Sequence, residues 1–302
     1  MRCVVCNSTE TFYVREYEGI SFCRECFKDN FENKVRRTTS KYHMLDADDH
    51  IALALSGGKD SLTLLKILHK IEKRFPRSRL TAVTVDEGVE RYRSEAIEIA
   101  ENQCRELGVD HRIISFKELY GYTLDELVSK KKLSFPCSYC GVLRRKAINL
   151  IARKVNATKI ATAHNMDDEI QTFILNIFHG DVPRIARSEP CLQDPSGMFL
   201  PRVKPLAEST EKEVVLYAYA TGVDFQTVPC PYASTALRND IRTMLNRLEE
   251  KHVGVKFTIY RSAERLRNLL ETSKSDLTLQ RCSSCGEPTT SDTCEACRKL
   301  KE

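Results

Sequence analysis

The segment Ile51-Ala52-Leu53-Ala54-Leu55, which runs straight into Ser56-Gly57-Gly58-Lys59-Asp60-Ser61, constrains this chain more than any other. The apolar run reads as a short strand, and Leu62, Leu64, Leu65 and Leu68 then keep a helical spacing, so the order is strand, glycine-rich loop, helix. Two adjacent glycines let the backbone approach an anion closely, and a helix N-terminus directs N–H groups at it. Ser56 and Ser61 add hydroxyl donors, and Lys59 adds positive charge. Neither GxxxxGK followed by Ser or Thr nor GxGxxG is present, so a kinase-type or dinucleotide-type loop is unsupported. The alternative is a tight turn that holds no ligand.

Elements alternate beyond this point. Leu80 to Val85 reads as a strand, Ser94 to Leu107 as a helix, and His111 to Ser115 and Lys159 to Ala163 as further strands. The pattern predicts an α/β fold with a parallel sheet, whose ligands gather at strand carboxyl ends. Asp86 follows one strand and is a candidate contact to adenosine. His164, Asp167 and Asp168 follow another, where carboxylates suit Mg2+ in a phosphate site or else cap the next helix, and His164 serves the site or only local hydrogen bonds. With 302 residues, 41% of them hydrophobic, the chain has enough for one substantial core plus small satellite modules. No apolar run reaches the roughly 18 to 20 residues of a membrane span, and Met1 to Cys6 lacks a secretory segment. A soluble cytoplasmic protein is expected, with no membrane partner.

Thirteen cysteines carry the remaining signal. Cys3, Cys6, Cys23 and Cys26 form two CxxC knuckles, as do Cys282, Cys285, Cys294 and Cys297, and each set can meet around one tetrahedral Zn2+. Disulfides are the alternative, disfavoured inside a cell. With both zincs bound through thiolates, the formal charge falls from +5 to +1, so any RNA-binding surface must be local. Cys137, Cys140 and Cys230 lie between these groups, the first two beside a basic helical start that would favour thiolates. They read as a persulfide and resolving pair, Cys137 with Cys230, or as three ligands of an iron–sulfur cluster with one iron open; buried thiols or an incomplete zinc site are the plain alternative. Cys104 falls in an amphipathic helix and is assigned to the core. The expected division is a zinc module over 1–30, a helical connector over 31–48, an ATP-binding catalytic domain over 49–260, a linker over 261–279 and a second zinc module over 280–302.

Together these pieces resemble the tRNA 2-thiolation family of the ATP-pyrophosphatase, or PP-loop, superfamily, specifically the archaeal and eukaryotic cytosolic group that thiolates wobble uridine. The resemblance covers Cys3 to Cys26, Ser56 to Ser61, Val85-Asp86-Glu87-Gly88, Cys140 to Arg145, His164-Asn165-Met166-Asp167-Asp168, Lys212 to Tyr217 and the last cysteine group. It implies an adenine-nucleotide alpha-hydrolase-like core, ATP at Ser56 to Ser61, Asp86 and His164, and adenylation of uridine O2. Lys59 then acts as an electrostatic stabiliser, with Asp60 beside it, and sulfur arrives near Cys137, Cys140 and Cys230. Related enzymes hold a 4Fe–4S cluster on those three cysteines. The implied partners are tRNA, sulfide or a ubiquitin-like sulfur carrier, and a second copy or related subunit. The chain departs from the family in having Ala163 before the histidine and Glu90-Arg91 where relatives often have glycines. Arg144, Arg145, Arg238, Arg242 and Arg247 are candidate phosphate contacts or ordinary surface, whereas Phe173, Ile174, Ile177 and Phe178 are read as core. Thiolation of a T-loop uridine or a cytidine, and a non-enzymatic RNA-binding role, are the competing functions.

Overall fold

The computed structural model describes residues 1–194, 196–233, 237–270 and 279–301. A hairpin, β1 (Tyr13–Arg15) and β2 (Ile20–Phe22), leads into the long helix α1 (Arg24–Lys41). The central layer starts with β3 (His50–Ala54), α2 (Lys59–Glu72), β4 (Arg79–Asp86), α3 (Arg93–Leu107) and β5 (Asp110–Ser115). Short helices α4 (Phe116–Tyr120) and α5 (Leu124–Lys131) precede α6 (Pro136–Lys154) and β6 (Lys159–Ala161). Next come α7 (Met166–Phe178), α8 (Val182–Ala186), β7 (Cys191–Leu192), β8 (Arg202–Val203) and α9 (Glu211–Ala220). The helices α10 (Leu237–Lys251) and α11 (Val255–Leu269) and the small unit β9 (Gln280–Arg281), β10 (Pro288–Thr289) and α12 (Glu295–Lys301) follow.

The sheet order is β5-β4-β3-β6-β8-β7, parallel except for the edge strand β7. Successive strands grow outward from β3 in both directions, so the switch point lies between β3 and β6, and a crevice opens there beyond the strand carboxyl ends. Burial on both faces explains the near-continuous apolar strands. The pleat sends Ile51, Leu53, Ala82, Ala161 and Val203 to a core shared with α1, α2 and α9, while Ala52, Val83, Val85, Ile114 and Ile160 face a second core under α5 and α6.

The terminal cysteine units dock on different cores. The N-terminal hairpin packs Tyr13, Phe22 and Phe27 into the first core, and Glu213 of α9, fully buried, pairs with Arg15 at 3.1 Å and Lys34 at 2.7 Å. The C-terminal unit buries Cys282, Cys294 and Cys297 in the second core, and Glu287 pairs with Arg153 of α6 at 2.8 Å.

Some expectations shift. Helix α1 runs unbroken past residue 30, and α11 runs past 260, so helices cover both expected boundaries; residues 271–278 of the expected linker lie outside the described residues. Phe173 is buried, but Ile177 is 48% and Phe178 60% exposed, because the last turn of α7 reaches solvent. Cys104 is buried in the first core, as expected.

Candidate active site

The glycine-rich loop sits at the end of β3 with its helix behind it. Gly58 is the N-cap of α2 and brings no side chain to its first turn, which leaves N–H groups free for an anion. Ser61 Oγ accepts from Ser56 N–H at 3.1 Å, donates to the Gly58 carbonyl at 2.9 Å and meets Ser56 Oγ at 3.1 Å, so the two serines close the loop on itself. Gly57 has φ +83°, and a Cβ there would lie 2.3 Å from the carbonyl oxygen of Ala96 on α3. The Gly57 carbonyl also accepts from the N–H of Gln226 at 3.2 Å, which fastens the loop from a distant part of the chain.

Sequence reasoning missed the side chain that holds this loop from below. Arg93, the first residue of α3, is buried; its Nη1 donates to the Ser56 carbonyl at 2.6 Å, its Nη2 to the Val85 carbonyl at 2.7 Å, and it pairs with Glu87 at 2.8 Å. Glu87 in turn meets Arg144 of α6 at 3.5 Å. Burial of an arginine depends on what packs over it, and no local pattern signals it. Asp86 ends β4 and accepts from Gly88 N–H at 2.8 Å in a tight turn, which leaves its second oxygen without a hydrogen bond among the described residues. Just beyond, Arg91 takes φ +57°, a left-handed value that favours glycine.

At the end of β6, Asn165 caps α7 in a reciprocal box: Asp168 N–H donates to Asn165 Oδ1 and Asn165 N–H to Asp168 Oδ2, both at 3.1 Å. Capping therefore uses one oxygen of Asp168, and the other has no hydrogen bond among the described residues. Burial pushes the Asp168 carboxyl up, against the pull of Arg238. Asp167 turns away from α7 to Lys256 and the Glu211 N–H. Asn165 also donates to Asp60 Oδ1 at 3.0 Å, which joins the end of β6 to the phosphate loop. Lys59 is not a free cation: it pairs with Asp60 at 2.9 Å and Glu211 at 2.8 Å. His164 is exposed and bonds Thr162 Oγ1 at 3.0 Å; desolvation, then the nearby positive charges of Lys204, Arg238 and Arg144, push its pKa below the usual imidazole range. Arg238 bonds Thr172 and Arg242 pairs with Glu211, so both face protein, while Arg247 is exposed.

Cys137 and Cys140 occupy the first turns of α6, which opens with Pro136 at N1. The Cys137 thiol donates to the Tyr232 carbonyl at 3.2 Å, bringing the loop that carries Cys230 against the helix. Burial pushes the Cys140 thiol up to about 12 despite Arg144, and raises Cys230 as well. At Cys140 desolvation thus outweighs the nearby positive charge. Among the described residues, the terminal groups Cys3, Cys6, Cys23, Cys26 and Cys282, Cys285, Cys294, Cys297 each bring their thiols within 4.8 Å of one another, spacing that fits one tetrahedral ion; the central three are wider apart. In the C-terminal group the Cys294 N–H donates to Cys282 Sγ at 3.2 Å. A groove of about 1150 Å³ opens elsewhere, between the N-terminal hairpin, α1 and α11.

Comparison with known proteins follows this geometry. A PP-loop domain family matches residues 27–249. The tRNA-5-methyluridine(54) 2-sulfurtransferase of Pyrococcus horikoshii is 35% identical over 298 residues, covering 99% of this chain and 93% of that protein. A probable sulfurtransferase of Methanocaldococcus jannaschii is 36% identical, covering 97% and 86%. The structure of the U34-tRNA thiolase NcsA from Methanococcus maripaludis with its 4Fe–4S cluster matches with a TM-score of 0.85 at 34% identity, covering 100% of this chain and 96% of that one. Likeness that extends from one cysteine group to the other, through the phosphate loop, makes this chain a member of the tRNA 2-thiolation family of PP-loop proteins.

Proposed function

We propose that this chain is an ATP-dependent tRNA uridine 2-sulfurtransferase that acts on the wobble uridine in the cytoplasm. The observation that carries the reaction is a continuous run of contacts from the phosphate loop to the sulfur centre: Ser56 carbonyl to Arg93, Arg93 to Glu87, Glu87 to Arg144, and Arg144 beside Cys140. One site thus holds a nucleotide and a set of thiols. The wobble assignment is supported by the U34 thiolase NcsA, and cytoplasmic work by the 36% identical cytoplasmic tRNA 2-thiolation protein 1 of Chlamydomonas reinhardtii.

The uridine O2 attacks the α-phosphorus of ATP, pyrophosphate departs, and the C2 oxygen becomes part of a good leaving group. Free N–H groups at the start of α2 and the Ser56 and Ser61 hydroxyls hold the pyrophosphate, while Lys59 offsets its charge once ATP draws it from Asp60 and Glu211. Neutral His164 and the second oxygen of Asp86 orient adenosine. The open oxygen of Asp168 would hold Mg2+, which would offset the phosphate charge. Sulfide then attacks C2 and AMP leaves. Cys137, Cys140 and Cys230, three thiols near enough to influence one another yet spaced wider than a single-ion site, would hold a 4Fe–4S cluster, and that group would supply an iron where sulfide can bind. The terminal groups hold structural Zn2+. A ubiquitin-like sulfur carrier and a second copy of the chain are the expected partners.

The test is anaerobic turnover with ATP, sulfide and tRNA transcripts carrying U34C or U54C. We expect 2-thiouridine and one AMP per sulfur, lost only with U34C. Loss only with U54C would move the target to the T-loop, and turnover on neither parent nor variant transcripts by cluster-loaded protein would refute the reaction.

A further inference from the structure

We propose that Arg145, Arg202 and Arg184 form a site for a backbone phosphate of the RNA substrate, beside the sulfur centre; this rests on the reading of the chain as a tRNA-modifying enzyme. Arg145 lies on α6 five residues beyond Cys140, an axial rise of about 7.5 Å. Its side chain is exposed and makes no ion pair or hydrogen bond among the described residues. Beneath it, Arg202 of β8 donates to Asn149 Oδ1 at 2.9 Å and to the Arg145 carbonyl at 3.4 Å, both neutral acceptors. Arg184 of α8, exposed and held by Asp181 at 3.1 Å, adds further positive charge near Arg145.

Several enclosed bases have a carboxylate close by: Arg15 with Glu213 at 3.1 Å, Arg93 with Glu87 at 2.8 Å, Lys159 with Asp49 at 2.8 Å and Lys204 with Glu169 at 2.8 Å. Neither Arg145 nor Arg202 has a carboxylate partner among the described residues, and burial, followed by the charge of Arg145, brings half-buried Arg202 down to about 10. An anion offsets that positive charge, and guanidinium groups match the oxygens of a phosphate. The site is an open surface spanning α6, α8 and β8, not an enclosed pocket, which suits a polymer backbone passing by the crevice better than a free nucleotide.

The experiment measures tRNA binding by the full-length protein, loaded with its metals, across a salt series, for wild type, Arg145→Gln, Arg145→Lys and the double variant Arg145→Gln/Arg202→Gln. Arg112→Gln, on the opposite sheet edge where Arg112 pairs with Asp110 at 3.1 Å, is the control. Losing a phosphate contact should raise Kd several-fold and flatten the slope of log K against log salt by about 0.7 to 1, with ATP affinity unchanged and with Arg145→Lys retaining the slope. Wild-type Kd and slope in both glutamine variants would overturn the site while leaving the thiolase reading intact. So would loss only of turnover driven by a protein thiocarboxylate, since the anion would then be the carrier's C-terminus. Wild-type protein that neither binds nor thiolates tRNA would instead refute the function on which the site depends.

Discussion

Gly57 and Gly58 are neighbours in the same loop, yet the structure asks different things of them. Gly57 has φ +83° and the Ala96 backbone 2.3 Å from where a Cβ would sit, whereas the nearest atom to a Cβ on Gly58 is Ser56 Oγ at 3.5 Å. Gly57→Ala should therefore destabilise the protein by about 2 kcal/mol or more and abolish ATP binding, since backbone on α3 has nowhere to go. Gly58→Ala should cost under about 1 kcal/mol. Thermal melts with and without ATP check both, and equal effects would remove the distinction. At this scale the sequence was informative where chemistry is local: the glycine pair, the hydroxyls and the CxxC spacings are contiguous. Asn165-Met166-Asp167-Asp168 also held a readable capping signal, a capping residue followed three positions later by an acid, which makes Asn165 the cap and Asp168 its partner. Arg93 and Glu211 carried no such signal, because their roles come from what lies across the crevice.

Helices α3 and α6 are coupled through one carboxylate. Glu87 and Arg93 are each only 7% exposed along the side chain, while Arg144 is 51% exposed. Glu87→Ala strands a buried guanidinium and should cost about 3 kcal/mol, whereas Arg144→Gln breaks an exposed contact and should cost under about 1 kcal/mol. Urea titration of the two variants measures the difference, and equal midpoints would show that Glu87 is not what ties the loop to α6. Element positions were well foreseen where apolar runs were continuous: β3, β4, α3, β5 and β6 match their expected places within a few residues. The short strands β7 and β8 were not, since two-residue strands have no periodicity to read. The helix expected in the connector is the second half of α1, whereas α11 runs into the expected linker beyond residue 260, for a basic amphipathic stretch looks alike whether it packs or not.

At the scale of the whole molecule, each terminal cysteine group braces a different core. The C-terminal unit leans on the helix that carries Cys137 and Cys140: Lys146 lies 3.8 Å from Cys297 Sγ, and Lys131 donates to the carbonyls of Lys299 and Leu300. Cys285→Ser should lower bound zinc from two per chain to about one and weaken retention of iron at the central cysteines, with ATP affinity preserved. Metal analysis beside ATP titration decides this, and undiminished zinc would show that the group is not a metal site. The fastening of Gly57 by Gln226 has a consequence for biosynthesis. The phosphate loop is made in the first fifth of the chain, but β6, β8 and the Gln226 amide that complete its surroundings emerge far later. During translation the free edge of β3 waits about a hundred residues for β6, so the window of vulnerability to aggregation closes only when the third quarter of these 302 residues has left the ribosome.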